Sequence, residues 1–183
     1  MRDYTKLHLG CGQKHIPGWF HVDALELDHV DHVGPVEELG FIPDNSVELI
    51  YACHVLEHFG RKTHYAPLAE WHRVLKPGGI LRLSVPDFAA AARLYLSGTL
   101  ERGIEDVRGL VCGGQRDHYD FHANIFDEAS LSEALKFAGF RETRLWDWQS
   151  TEHSDMDDYS QAYMPHMDKE NGTLVSLNME GVK

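Results

Sequence analysis

The chain has 183 residues, enough for one domain of common size and too few for two full ones. Hydrophobic residues make up 43% and charged residues 25%, so a core can form and compositional disorder is excluded. Seventeen Lys and Arg stand against 29 Asp and Glu, and the net charge of −12 disfavours nucleic-acid backbones and anionic membranes as partners. Cys11, Cys53 and Cys112, with no C-x-x-C pair, form neither a disulfide framework nor a zinc knuckle. No apolar run approaches the roughly 18 residues of a membrane span, and Met1 to Lys6 lacks a signal-peptide core. A soluble cytoplasmic protein is expected.

In chain order, apolar runs alternate with helical patterns, which points to an α/β fold. Strands are predicted at Lys6–Leu9, Trp19–Val22, His29–Val33, Val47–Tyr51 and Ile80–Val85, with Pro86 stopping the last. Only Gly10 to Gly18 joins the first two, so a loop or single turn is expected where a crossover helix is usual. One helix is predicted to begin near His54. Another ends at Leu75, with Leu68, Trp71 and Leu75 on one face and Pro77-Gly78-Gly79 as its stop. Asp87 caps a short helix through Leu96, closed by Gly98. Asp127 caps a further helix that aligns Leu131, Leu135 and Ala138, with Gly139 just past its end. Strands at Phe140–Trp146 and Leu174–Asn178 complete the list of elements.

The first strand ends in Gly10-Cys11-Gly12, which would bring bare backbone to a ligand at the carboxyl edge of a parallel sheet, or simply form a tight turn. A dinucleotide fingerprint needs a glycine where this chain has His15, and no phosphate-binding P-loop is present. Asp23, after the second strand, can accept two hydrogen bonds from a ribose diol, or act as a cap or a loop acid. His54-x-x-Glu57-His58 spells a zinc-hydrolase motif, H-x-x-E-H. That reading needs a third ligand and a cleft between two helices, neither visible in the sequence, so no stoichiometric zinc is expected. Glu57 would then simply favour the positive end of a helix dipole.

Leu7 to Gly12, Val22-Asp23, Leu39 to Ile50, His54 to His58 and Glu70 to Gly79 together resemble, in order and approximate spacing, the class I S-adenosylmethionine (SAM)-dependent methyltransferases. The segment Phe126 to Phe140 is similar to that family's helix before its sixth strand. The resemblance covers roughly residues 5–148. It implies a Rossmann-like sheet, mostly parallel with an antiparallel last strand, here with the first helix shortened or missing. The whole chain, 1–183, would then be one methyltransferase domain. SAM is the implied cofactor, with S-adenosylhomocysteine as product. By the same resemblance Gly10, Cys11 and Gly12 wrap the methionine part, Asp23 holds the ribose, Val36 and Glu37 lie near the adenine, and Cys53 and His54 lie near the sulfonium. Pro35 stands where many relatives have an adenine-binding Asp, so adenine recognition would use backbone groups.

Acceptor chemistry has no shared motif. His118 to Asn124 gathers donors, acceptors and aromatics in a loop, and His122 or His118 could act as base with Asp120 orienting it. A structural or merely exposed loop is the alternative. The polar stretch 151–171 before the last strand reads as a solvated excursion or an acceptor lid. The expected acceptor is a small polar molecule, a saccharide or related metabolite. A non-catalytic SAM-binding module of the same fold is the alternative. Oligomeric state is not encoded.

Overall fold

The computed structural model describes residues 4–183. Strands β1 (Lys6–Leu9), β2 (Phe20–Asp23), β3 (His32–Val33), β4 (Val47–Cys53) and β5 (Leu75–Pro86) run parallel as neighbours in one sheet. Helix α1 (Tyr65–Val74) precedes β5, and α2 (Phe88–Ser97) and α3 (Ile104–Cys112) follow it. Helix α4 (Glu128–Phe137) leads to β6 (Glu142–Leu145). A two-stranded hairpin, β7 (Tyr163–Met164) with β8 (Thr173–Leu174), precedes β9 (Ser176–Val182). The sheet order is β3-β2-β1-β4-β5-β9-β6, and only β9 is antiparallel to its neighbours. This is the mostly parallel α/β sheet with an antiparallel last strand that the sequence led us to expect.

The caps behave as their chemistry requires. The Asp87 side chain accepts from the Ala90 N–H, and Gly98 closes α2 in the left-handed conformation at φ +70°. Asp127 and Ser130 form a reciprocal capping box on α4.

Strand alternation gives the sheet two unlike faces. On one, Leu7, Leu9, Ile50, Leu81 and Leu83 pack with Leu68 and Trp71 of α1 and with Leu131 and Leu135 of α4. On the other, register aligns a polar row: His21 beside His8, His8 beside Tyr51, Tyr51 beside Arg82, Arg82 beside Glu180, and Glu180 beside Arg144. Residues 10–19, between β1 and β2, form turns and no helix. The missing cover is supplied from the far end of the chain. His153 lies over Tyr51, with ring centroids 4.2 Å apart, and packs edge-on against Trp19 and Trp146. Asp158 accepts the buried Tyr51 hydroxyl at 2.6 Å, and Glu152 pairs with Arg82 at 2.9 Å. The stretch 151–171 is therefore not a solvated excursion: His153, Asp158, Ser160 and Gln161 are buried in it. A parallel sheet must be covered on both faces, and this segment does the work of the absent helix.

Three sequence expectations need correction. No α-helix begins near His54; only a short 3₁₀ turn, Leu56–His58, forms there. Helix α3 was not foreseen, although Ile104, Val107, Leu110 and Val111 recur at helical spacing; Val107 is its one buried side chain among the described residues. The last strand starts at Ser176, since Thr173 and Leu174 pair with the hairpin instead. β9 then runs on through Asn178 and Glu180, whose polarity suits the polar row and hid the strand from an apolar search. No helix among the described residues is long and apolar enough to cross a membrane.

The polar face predicts an acid-sensitive fold. Burial, with the neighbouring histidines second, pushes His8 down to about 3. A folded-state value below the unfolded 6.5 means that the unfolded chain takes up the proton first as pH falls. The contribution of His8 is fully present above pH 6.5 and is lost toward pH 3, by about 1.4 kcal/mol per pH unit in between. Denaturant midpoints should fall from pH 7.5 to pH 5, and His8→Asn should flatten that fall. Equal midpoints at both pH values in the wild type would exclude this coupling.

Candidate functional site

The loop leaving β1 turns on Gly10 at φ +61° and Gly12 at φ +50°, both left-handed. The Gly10 N–H donates to the Val22 carbonyl at 2.8 Å, tying the turn to β2. Asp23, buried at the end of β2, accepts the Gly12 N–H at 2.7 Å through one oxygen and the Leu25 N–H at 2.8 Å through the other. The two glycines differ. A Cβ on Gly10 would lie 2.5 Å from Val55 Cγ2, whereas one on Gly12 would meet nothing within 4 Å. Gly12 therefore presents open backbone, the kind of cradle a ligand's amino-acid end requires. Cys11 is buried between them with Sγ 3.7 Å from His29 Nε2; burial, then Asp23, pushes its thiol up to about 12. The residues present thus fit an adenosyl cofactor: an open glycine turn bonded to a buried acid at the carboxyl edge.

The other expected cofactor residues are more mixed. Val36 is buried, and its carbonyl accepts the Trp71 indole N–H at 2.9 Å, so that oxygen already has a partner. Glu37 is half-buried beside exposed Pro35. Cys53 ends β4, and burial raises its thiol well above the usual range. His54 follows at φ +55°, with its N–H bonded to the Ser84 carbonyl at 2.8 Å. Its ring reaches β9, with Nε2 3.2 Å from Ser176 Oγ, and the covering segment, with ring centroids 5.1 Å from Tyr159. Sequence reasoning missed both of these neighbours.

Beyond His54 the chain makes its 3₁₀ turn around Glu57, which is 1% exposed. Burial pushes the Glu57 carboxyl up to about 8 and the His54 imidazole down to about 3. The Glu57 backbone carbonyl accepts the N–H groups of Ala123 at 2.9 Å and Asn124 at 3.1 Å. Those two bonds draw the loop after α3 against the turn and set His122 Nε2 3.9 Å from Glu57 Oε1. The His122 side chain is buried, and this burial lowers its pKa.

Of the three expected acceptor-side residues, only His122 joins this group. His118 is exposed and stacks on Tyr119 at 3.9 Å. Asp120 pairs with Arg116 at 2.6 Å, which holds its carboxyl below the usual range, while His122 Nδ1 faces the Leu110 carbonyl at 3.1 Å. Asp120 is therefore not the residue that orients His122. Glu57 and His58 are the neighbours that the sequence hid, because His122 lies far along the chain from the H-x-x-E-H motif.

Residues 21–83 match the methyltransferase domain family. The fold is shared with a SAM-dependent methyltransferase from Thermotoga maritima: TM-score 0.60, 16% identity, covering 100% of this chain and 84% of that one. The chain thus carries a methyltransferase-domain match over residues 21–83 and the fold of the class I SAM-dependent methyltransferases. A SAM-dependent methyltransferase from Archaeoglobus fulgidus is similar at TM-score 0.57 and 13% identity, over 99% of this chain and 88% of that one. So is the 1,6-didemethyltoxoflavin-N1-methyltransferase of Burkholderia thailandensis, solved with its substrate and S-adenosylhomocysteine: TM-score 0.56, 17% identity, 97% and 70% covered. No curated protein is matched by sequence. SAM is the cofactor to which the domain match and the shared fold point.

The contrast between the glycines yields a stability prediction. Gly10→Val should destabilise the methyltransferase by about 2–4 kcal/mol, from a strained left-handed backbone and overpacking against Val55. Val55→Ala should restore part of that loss in the double variant. Thermal melts giving additive losses would show that the Val55 contact is not the cause.

Proposed function

We propose that this methyltransferase transfers a methyl group to a small polar acceptor, a saccharide or related metabolite, on the side of the sheet edge that carries His122. We read residues 1–183 as one domain and place the protein in the cytoplasm. The observation that carries the cofactor half is the Gly12–Asp23 hydrogen bond, which joins an open glycine turn to a buried acid. After accepting from Gly12 and Leu25, each Asp23 oxygen retains a lone pair for a ribose hydroxyl. When bound, SAM supplies a methyl group already activated on a sulfonium, so the protein mainly aligns the partners and excludes water. Gly10, Cys11 and Gly12 would take the amino-acid end, Val36 and Glu37 the adenine side, and Cys53 and His54 the region of the sulfonium. The net charge of −12 supports a neutral or cationic acceptor over a polyanion.

His122 is the acceptor-side residue we assign, because its ring is fixed and His118 and Asp120 are engaged elsewhere. A hydroxyl or amine acceptor loses a proton as its oxygen or nitrogen bonds the methyl carbon, and a group near Glu57 and His122 is placed to assist that loss.

Two variants test the two halves separately. Asp23→Ala should weaken S-adenosylhomocysteine binding by about 2–4 kcal/mol, the loss of charge-assisted ribose bonds. Calorimetry showing wild-type affinity would move the ribose site elsewhere. His122→Ala should keep that affinity and lose turnover by about 100-fold or more in an acceptor screen with labelled SAM. Labelled methyl transfer also separates an enzyme from a non-catalytic module that only binds SAM.

A further inference from the structure

Neither oxygen of the buried Glu57 carboxylate accepts a hydrogen bond. A carboxylate so placed is costly unless something compensates it. His58 and His122 offer ring nitrogens such that the three potential ligand atoms lie within 4.8 Å of one another. The other nitrogen of each ring is fixed. Nδ1 of His58 is 3.0 Å from the Phe121 carbonyl, and Nδ1 of His122 is 3.1 Å from the Leu110 carbonyl. A carbonyl can only accept, so both Nδ1 atoms carry hydrogen and the neutral rings keep their lone pairs on Nε2.

His54 is set in a similar way. Ser176 Oγ gives its hydrogen to the Tyr159 carbonyl, so His54 Nε2 must be the donor to that oxygen at 3.2 Å. The lone pair of its Nδ1 is then left 3.2 Å from Glu57 Oε1. His58 and His122, each donating Nδ1–H to a carbonyl with Nε2 left as acceptor, are held as metal-ligating imidazoles are.

We propose that Glu57, His58 and His122 bind a divalent first-row transition-metal ion, with His54 beside it. Two imidazoles and one carboxylate suit zinc, manganese or iron better than magnesium or calcium, which prefer oxygen ligands throughout. The expectation of no metal at His54 and His58 rested on a missing third ligand; the fold brings in His122 and leaves His54 at the side. Three protein ligands leave positions for water or for an acceptor oxygen. On the methyltransferase reading above, on which this use of the ion rests, a hydroxyl acceptor is the class it would serve. Coordination would acidify the hydroxyl, whose proton leaves to solvent as the oxygen bonds the methyl carbon and the C–S pair returns to sulfur.

The test is a titration of chelator-stripped, tag-free protein with cobalt(II), followed by visible absorption and calorimetry, beside a separate titration with S-adenosylhomocysteine. The expected result is saturable uptake of one equivalent. Glu57→Gln and His122→Ala should weaken it by about 100-fold or more while leaving the melt and S-adenosylhomocysteine affinity near wild type. Should either variant unfold, His58→Gln at the half-buried position gives the same reading. Absence of one-equivalent uptake, or uptake undiminished in folded variants, would overturn the site and leave a proton on Glu57 bridging to His54. Metal uptake without S-adenosylhomocysteine binding would sustain the site and remove the methyltransferase reading.

Discussion

The buried hydrogen bond from the Tyr51 hydroxyl to Asp158 joins two parts of the chain that the fold must hold together. With no helix between β1 and β2, one face of the sheet has no local cover, and a parallel sheet cannot leave a face open. The segment after β6 closes it. Its contacts are polar and aromatic because the sheet presents a polar row there. Arg82 lies between Glu180 and Glu152, both at 2.9 Å, so its charge is compensated on two sides where an apolar cover would strand it. The composition of the tail follows from the composition of that row.

The opposite face obeys simpler rules and was legible in the sequence. Leu7, Leu9, Ile50 and Leu83 read as strand positions, and Leu131 with Leu135 as a helix stripe, because apolar periodicity reports a face packed on helices. Asp87, Asp127 and Gly98 read correctly as caps because their signals are local. What periodicity could not show was a face that carries buried His8, Tyr51 and Glu180 and part-buried Arg82. Those look like surface residues until register puts them in one row. The tail was misread as solvated for the same reason, since Asp158 and Gln161 are polar residues buried against polar partners.

In the candidate site the division falls similarly. The turn at Gly10 and Gly12 beside Asp23 was legible as local geometry, because it lies within a few residues of two strand ends. The neighbours of His54 were not, since Ser176 arrives from β9 and Tyr159 from the covering segment. Asn178 Nδ2 donates to the Ser160 carbonyl at 2.9 Å, fastening that segment to β9 next to Ser176. The element that closes the sheet therefore also fixes the tautomer of His54. Fold and site share one support, which explains why a chain of this length keeps so long a connection before its last strand.

The failure of the H-x-x-E-H stretch to become an α-helix has the same logic at smaller scale. In a continuing helix the Glu57 carbonyl would accept an N–H from the next turn. Here it accepts from Ala123 and Asn124 instead, and the left-handed backbone of His54 breaks the run one residue after β4. The backbone exchanges a local bond for two distant ones. That exchange moves His122 next to Glu57 and directs the side chains of the motif toward a group assembled across the chain. On a regular helix Glu57 and His58, three and four residues on, would both have lain on the face of His54, with no residue from the far part of the chain drawn in by the Glu57 carbonyl.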